Sequence, residues 1–356
     1  MEGSPIDIVI FAPLAPILGV FLFWFLQLLF IESQKFLLIK IKSKHEPFCR
    51  FTNFLGILFQ TICHALGFTV TKSGISDFYI SIHYGKVAPK KKKQGVFEWI
   101  ANAFLFIGPF FIPATMILAC LVFLLPNGFN TNIPSHLTDF QFTFGGQLTM
   151  FGTNLYNFSS SFFNFLFNID FLHPGHFGFM LLLIFLGLGI RPSYIGEKKR
   201  DKVDMIYDLR NISNLITHKP LYILILFLFS YVFFYISLFF NENWYVYLFS
   251  VFGWLSIISI VALIITHFII LLIKTTDVID GSKRHIPYFC MPLSYVLMRL
   301  LFFYFPSDLT YSVSTFVMIL VTIFVSYMLV GNHTNKFKTR VHIKLFRGKK
   351  KVKKDE

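Results

Sequence analysis

Long uninterrupted apolar runs, separated by short polar segments, recur along the whole chain and restrict it to few folds. A helix of about 20 apolar residues, rising 1.5 Å per residue, crosses the roughly 30 Å hydrocarbon core of a bilayer. Backbone amide and carbonyl groups inside lipid need internal hydrogen bonds, so such runs form helices. The pattern therefore predicts an all-α polytopic membrane protein.

The composition agrees with this prediction, because only 14% of the 356 residues are charged and 55% are hydrophobic. A soluble domain has about 25% charged residues. The runs predict seven or eight transmembrane helices within one membrane domain over residues 1–331, followed by a basic tail over 332–356. The predicted spans are 6–31, 52–70, 97–125, 174–190, 220–240, 244–273, 287–305 and 311–331.

The formal net charge of +14 is distributed unevenly among the loops. Loops 71–96, 191–219 and 274–286 are basic, whereas loops 126–173, 241–243 and 306–310 contain neither Lys nor Arg. Basic loops stay in the cytoplasm, so the pattern predicts a cytoplasmic C-terminal tail. Loop 32–50 is also basic, which leaves open whether residues 52–70 cross the membrane completely.

The tail contains the strongly basic stretch Lys336–Lys354. Basic residues next to a membrane bind anionic lipid headgroups, at about 1 kcal/mol for each residue. The predicted partners are therefore the bilayer, its anionic lipids and other membrane proteins, and no nucleic acid.

The segment 126–173 is polar at first and then rich in Phe. We predict an external loop that contains an interfacial or re-entrant helix. Its Asn157 begins an N-x-[ST] sequon, which predicts a glycosylation site on the outer side.

Polar residues inside a membrane span are candidates for function, because their burial in lipid costs free energy. In the span 52–70, Gln60 and His64 are four residues apart and share one face of a helix, and Thr61 lies beside Gln60. The spacing allows two readings. One is an interhelical hydrogen bond, worth about 0.6–2 kcal/mol. The other is a metal site.

The stretch Leu55–Leu66 resembles the H-E-x-x-H helix of the site-2 protease family of intramembrane zinc metallopeptidases. Gln60 occupies the position of the first His, Thr61 that of the Glu, and His64 matches the second His. Three later stretches are similar to elements of the same family. These stretches are a strand pair within Asp77–Val87, the sequence Ile107-Gly-Pro109-Phe-Phe, and Gly189-Ile-Arg191-Pro192-Ser193. The resemblance covers roughly residues 50–215.

The resemblance implies a zinc position at His64, but zinc catalysis needs three protein ligands and an activated water. Gln60 is a poor zinc ligand, and Thr61 cannot act as the general base that the family's Glu supplies. Residues that could substitute as zinc ligands are Cys63, Glu197, Asp201, Asp204 and Asp208. We therefore predict a catalytically inactive relative, a pseudoprotease with no catalytic residues, no resident cofactor and a binding or scaffolding role.

Two alternatives remain open at this point. One is a transporter or channel-like protein whose polar intramembrane residues line a path. The other is an active zinc metalloprotease with unusual ligands. Elsewhere, His173-Pro-Gly-His176 predicts either a simple helix start or a metal site, and Arg299 inside span 287–305 needs an acid, a carbonyl or the lipid headgroups as a partner.

Overall fold

A computed structural model describes residues 4–82, 84–91, 94–125, 142–190, 210, 213–214, 217, 220–279, 281–305 and 307–352. Within these residues the chain is mostly helical, with one antiparallel two-stranded sheet. The helices are α1 Leu14–Ile41, α2 Glu46–Val70, α3 Val96–Phe106, α4 Gly108–Leu124, α5 Phe144–Phe167, α6 Pro174–Gly189, α7 Pro220–Phe239, α8 Trp244–Thr276, α9 Ile286–Leu301 and α10 Ser307–Val352. The strands are β1 Ile75–Ile80 and β2 Gly85–Pro89, which confirms the predicted strand pair.

Five of the described helices are long and apolar enough to cross a membrane, which supports a polytopic membrane protein. They are Asp7–Ile41, Glu46–Val70, Pro220–Phe239, Trp244–Thr276 and Leu309–Asn332. The pair Val96–Phe104 and Gly108–Leu124 would add a sixth span, but it is bent by 63°. The predicted spans 174–190 and 287–305 correspond to helices of only 16 residues each.

The first helix is longer than the sequence predicts, because α1 continues to Ile41 instead of ending near residue 31. Its charges are accommodated on the helix: Lys35 Nζ lies 3.6 Å from a Glu32 carboxylate oxygen. Lys40 Nζ lies 3.9 Å from the centre of the Phe36 ring. The loop predicted over 32–50 is consequently reduced to residues 42–45 before α2 begins.

Contacts group the chain into two compact units. The first contains residues 1–165 and 172–267, and the second contains 166–171 and 268–356. Helices α5 and α8 contribute residues to both units. The prediction of one membrane domain with a separate tail stays a prediction, and the backbone of α10 remains helical across residue 332.

In the first unit, α5 packs inside the helical bundle. Its buried residues recur every three or four positions and are Gly146, Gln147, Met150, Phe151, Asn154, Leu155, Phe158, Phe162 and Phe165. Asn154 Nδ2 donates a 3.1 Å hydrogen bond to Ser250 Oγ, and Phe158 stacks on Trp254. The predicted helix therefore exists, but it is a core helix of this unit. Residues 126–141 of the predicted external loop lie outside the described part.

The sequon at Asn157 lies in the middle of α5, directly before the fully buried Phe158. A glycosylation acceptor is expected on a surface loop. Glycosylation at Asn157 stays a prediction, and its acceptor lies half-buried within a helix.

In the second unit, Arg299 of α9 forms an ion pair with Asp170. Its Nη2 lies 3.2 Å from an oxygen of Asp170, and both side chains are mostly buried. The Tyr295 hydroxyl donates a 3.2 Å hydrogen bond to the other Asp170 oxygen, and the Arg299 guanidinium lies 4.3 Å from the Tyr311 ring centre. This arrangement neutralises a charge that would otherwise be costly among apolar helices.

Candidate functional site

Helix α2 carries the motif-like residues, and local sequence fixes both of its ends. Pro47 stands in the first turn, where its missing N–H is not needed. At the other end, the Thr71 N–H bonds to Gly67 O at 3.1 Å. Lys72 (φ +53°) and Gly74 (φ +68°) then adopt left-handed backbone conformations that end the helix and turn the chain into β1.

The predicted shared face of Gln60 and His64 lies between two packed neighbours of α2. On one side of this face, the hairpin approaches closely, because a Cβ on Gly85 would overlap Thr61 Oγ1 and lie 3.0 Å from Ile57 Cγ2. On the other side, a Cβ on Gly108 would lie 3.1 Å from Cys63 Cβ. The face therefore lies between the hairpin and the start of α4.

Both Gln60 and His64 are half-buried. The His64 ring packs on Phe68, with ring centres 4.5 Å apart. Among the described residues, neither side chain forms an interhelical hydrogen bond, which was one of the two interpretations of this pair.

Thr61, at the position of the general base in the family motif, is 5% exposed. Its hydroxyl donates a 2.6 Å hydrogen bond to Ile57 O, the carbonyl one turn earlier in the same helix. The backbone of Gly85 lies directly over it. A neutral hydroxyl is too weak a base to take a proton from water, so Thr61 cannot replace the Glu of the motif.

Cys63 is the one substitute metal ligand that lies within the described residues. Cys63 is buried against Gly108 of α4. The four acidic candidates Glu197, Asp201, Asp204 and Asp208 lie outside the described residues. In the part of the chain that the structure describes, no three His, Cys, Asp or Glu side chains could hold a metal together. Zinc at His64 stays a prediction.

The three downstream stretches that resemble family elements all contact α2. The hairpin contacts it through Gly85, and the Ile107-Gly-Pro109 stretch does so through Gly108. The third stretch begins at Gly189, where a Cβ would overlap the Phe59 ring and lie 3.2 Å from Leu55 Cβ. Residues 191–193 of that stretch lie outside the described part.

Sequence reasoning missed a set of buried polar residues on α1 and α8. Gln34 Nε2 donates a 3.0 Å hydrogen bond to Gly187 O and a 3.2 Å bond to Thr266 Oγ1. Gln27 Nε2 donates to Ser256 O at 3.4 Å. A usable signal was present, because Gln27 and Gln34 are seven residues apart and therefore on one face of an apolar helix.

Comparisons with protein families, characterised proteins and solved structures find no match for this chain. The resemblance to site-2 proteases therefore stays a prediction from the residues quoted above.

The contact between Gly85 and Thr61 is testable by a pair of substitutions. Gly85→Ala is expected to destabilise the protein by about 1–3 kcal/mol, because the new methyl group enters an already packed space. Combining it with Thr61→Ala removes the overlapped oxygen and should recover part of that loss. Thermal unfolding of detergent-solubilised protein measures both. Equal apparent Tm values for Gly85→Ala and wild type would show that the hairpin does not pack on α2 here.

Proposed function

We propose that this protein is a catalytically inactive relative of the site-2 proteases that holds an extended segment of a membrane protein without cleaving it. The observation that carries the proposal is Thr61, at the position of the family's general base. Its hydroxyl donates a hydrogen bond to the backbone carbonyl of Ile57 and is covered by the strand residue Gly85. This leaves neither a base nor space for an attacking water at that position.

The ligand chemistry supports the same proposal. A catalytic zinc site needs three protein ligands, drawn from His, Cys, Asp and Glu, and a bound water. The α2 face offers His64 and the neutral amide of Gln60 instead. The Cys63 thiol, buried against α4, lies on a different part of the helix.

The hairpin provides the surface that would hold a partner. Among the described residues the sheet has two strands, so each strand has one edge without a neighbouring strand, and an extended peptide can bind such an edge through its backbone. Large apolar side chains on and around the hairpin are exposed to about half of their area, namely Phe78 48%, Tyr79 48%, Ile82 50% and Tyr84 46%. These would contact alternate side chains of the bound segment.

An exposed ion pair links the two strands of the hairpin. Asp77 of β1 and Lys86 of β2 form an ion pair with a 2.6 Å separation. The hydrogen bond and charge of Asp77 raise the pKa of Lys86 above its ordinary value. Because about half of each side chain is exposed, the pair contributes little to the stability of the hairpin.

We further propose seven or eight spans, with the basic loops and the tail in the cytoplasm. The support is the alternation of loops with and without Lys and Arg. In this orientation Lys336–Lys354 would bind the anionic lipids of the inner leaflet.

Photo-crosslinking in intact membranes tests the holding role. A photoreactive amino acid at Tyr79 is expected to give a discrete adduct with a full-length membrane protein. The same group at Tyr156 of α5, which is 72% exposed, is the control and should not give that adduct. The adduct should weaken several-fold when Phe78 and Ile82 are replaced by Ser. An adduct that contains only a cleaved fragment would contradict an inactive role, and no adduct from Tyr79 would contradict the holding role.

A transporter-like function is the second candidate, because buried amides line the described bundle. Gln27 Oε1 and Asn154 Oδ1 are buried and have no hydrogen-bond partner among the described residues. Such groups suit a hydrated path. Solute flux into vesicles reconstituted with the protein, lost on Gln27→Leu, would favour this candidate over the first.

A further inference from the structure

Two histidines at the start of α6 lie side by side. His173 precedes the helix, and its carbonyl accepts a 3.0 Å hydrogen bond from the Phe177 N–H, which closes the first turn. His176 follows within that turn. The ring centres of His173 and His176 are 4.8 Å apart, and the ring planes are tilted by 54°.

The neighbouring residues hold the two imidazoles in this arrangement. A Cβ on Gly175 would lie 3.2 Å from Cε1 and 3.3 Å from Nδ1 of His173, so the His173 ring lies over the bare glycine backbone. The His176 ring packs edge-on against Phe165, with ring centres 5.4 Å apart. His173 is exposed, so the pair is accessible from outside the protein.

The distance between the ring centres is short enough for both imidazoles to bind one metal ion. A divalent ion bound to a ring nitrogen at 2.0–2.1 Å lies about 3.2 Å from the centre of that ring. If each ring turns one nitrogen toward the ion, ring centres 4.8 Å apart give an angle of about 100° between the two nitrogens at the ion. This value lies between the 90° of square-planar or octahedral ions and the 109° of tetrahedral ions. Each ring needs only to contain the ion in its own plane, so the 54° tilt is compatible.

We propose that His173 and His176 bind one divalent transition-metal ion, such as Zn²⁺, Cu²⁺ or Ni²⁺, as a two-imidazole chelate. Neutral imidazole suits these ions, whereas Ca²⁺ and Mg²⁺ require oxygen ligands. Water occupies the remaining coordination positions, which makes the bound ion exchangeable. The proposal is independent of the function proposed above, because it uses a different helix from the motif-like residues.

Calorimetric titration of the purified, tag-free protein with Zn²⁺ and Ni²⁺ tests this site. Wild type is expected to bind one ion, and His173→Ala or His176→Ala should weaken binding by about 100-fold through loss of the chelate. His285→Ala, which removes an exposed histidine of the second unit, is the matched control and should bind like wild type. Binding should weaken when the solution is acidified, because protons compete with the ion for the imidazole nitrogens.

Two further measurements keep the outcome clear. Gly175→Val should weaken binding although both ligands remain, because the new side chain displaces the His173 ring. Excess Ca²⁺ should not compete. The proposal is overturned if wild type, His173→Ala and His176→Ala bind Zn²⁺ with the same affinity, or if wild type binds none while its thermal unfolding shows that it is folded.

Discussion

Gly187→Val is expected to destabilise the protein severely, by about 3 kcal/mol. A Cβ at residue 187 would overlap the carbonyl oxygen of Ala262 and lie 2.6 Å from its carbonyl carbon. It would also lie 2.7 Å from Thr266 Cγ2. Because the nearest obstacle is backbone, it cannot rotate away, and α6 and α8 would have to separate. Thermal unfolding in detergent measures the loss.

Gly178→Val is the matched control for this prediction, because residue 178 lies in the same helix and a Cβ there would meet nothing within 4 Å. Both substitutions introduce the same β-branched residue, so differences in helix propensity cancel. Similar apparent Tm values for the two variants would contradict the close contact of α6 and α8. A further consequence concerns Gln34, whose amide donates to Gly187 O and would lose that acceptor.

Asp170→Ala is expected to cost about 3–5 kcal/mol, because it leaves the mostly buried Arg299 without its counter-charge. The Arg299 Nη2 to Asp170 contact of 3.2 Å and the Tyr295 hydrogen bond to the same carboxylate are lost together. Asp170→Asn keeps the acceptor oxygen and should cost less. Arg299→Met removes both charges when combined with Asp170→Ala, and the double variant should be more stable than Asp170→Ala alone.

Glu46→Ala tests whether the loss of stability on removing an acidic partner depends on the burial of the ion pair. Glu46 forms a shorter contact, 2.7 Å, with Arg50, but about half of each side chain is exposed. Exposed pairs contribute little, so no measurable change in apparent Tm is expected. Equal losses for Glu46→Ala and Asp170→Ala would mean that the Asp170–Arg299 pair has no special role.

The sequence predicts the helices well where apolar residues are continuous. The run over 244–273 predicts α8, which the structure extends only to Thr276. The sequence does not predict where α1 ends, because Lys35 and Lys40 are typical of a loop. In the structure these lysines stay on the helix and contact Glu32 and Phe36 of the same helix. Helix periodicity alone also does not show that α5 packs inside the bundle, since its buried Gln147 and Asn154 read as a polar face.

The candidate site was predictable in part. The spacing of Gln60 and His64 gives their shared face, and the alternation within 77–87 gives the strand pair. The cover over Thr61 could not be predicted, because it depends on one glycine, Gly85, meeting a helix 24 residues earlier in the chain. The partner of Arg299 is similarly remote, at a separation of 129 residues.

The central claim is that α2 does not support zinc catalysis. It is tested most directly by the zinc content of the purified protein carrying His173→Ala and His176→Ala, compared with the same protein that also carries His64→Ala. The account predicts no stoichiometric zinc in either. About one zinc per chain, lost with His64→Ala, would contradict it and indicate a catalytic metal site with unusual ligands.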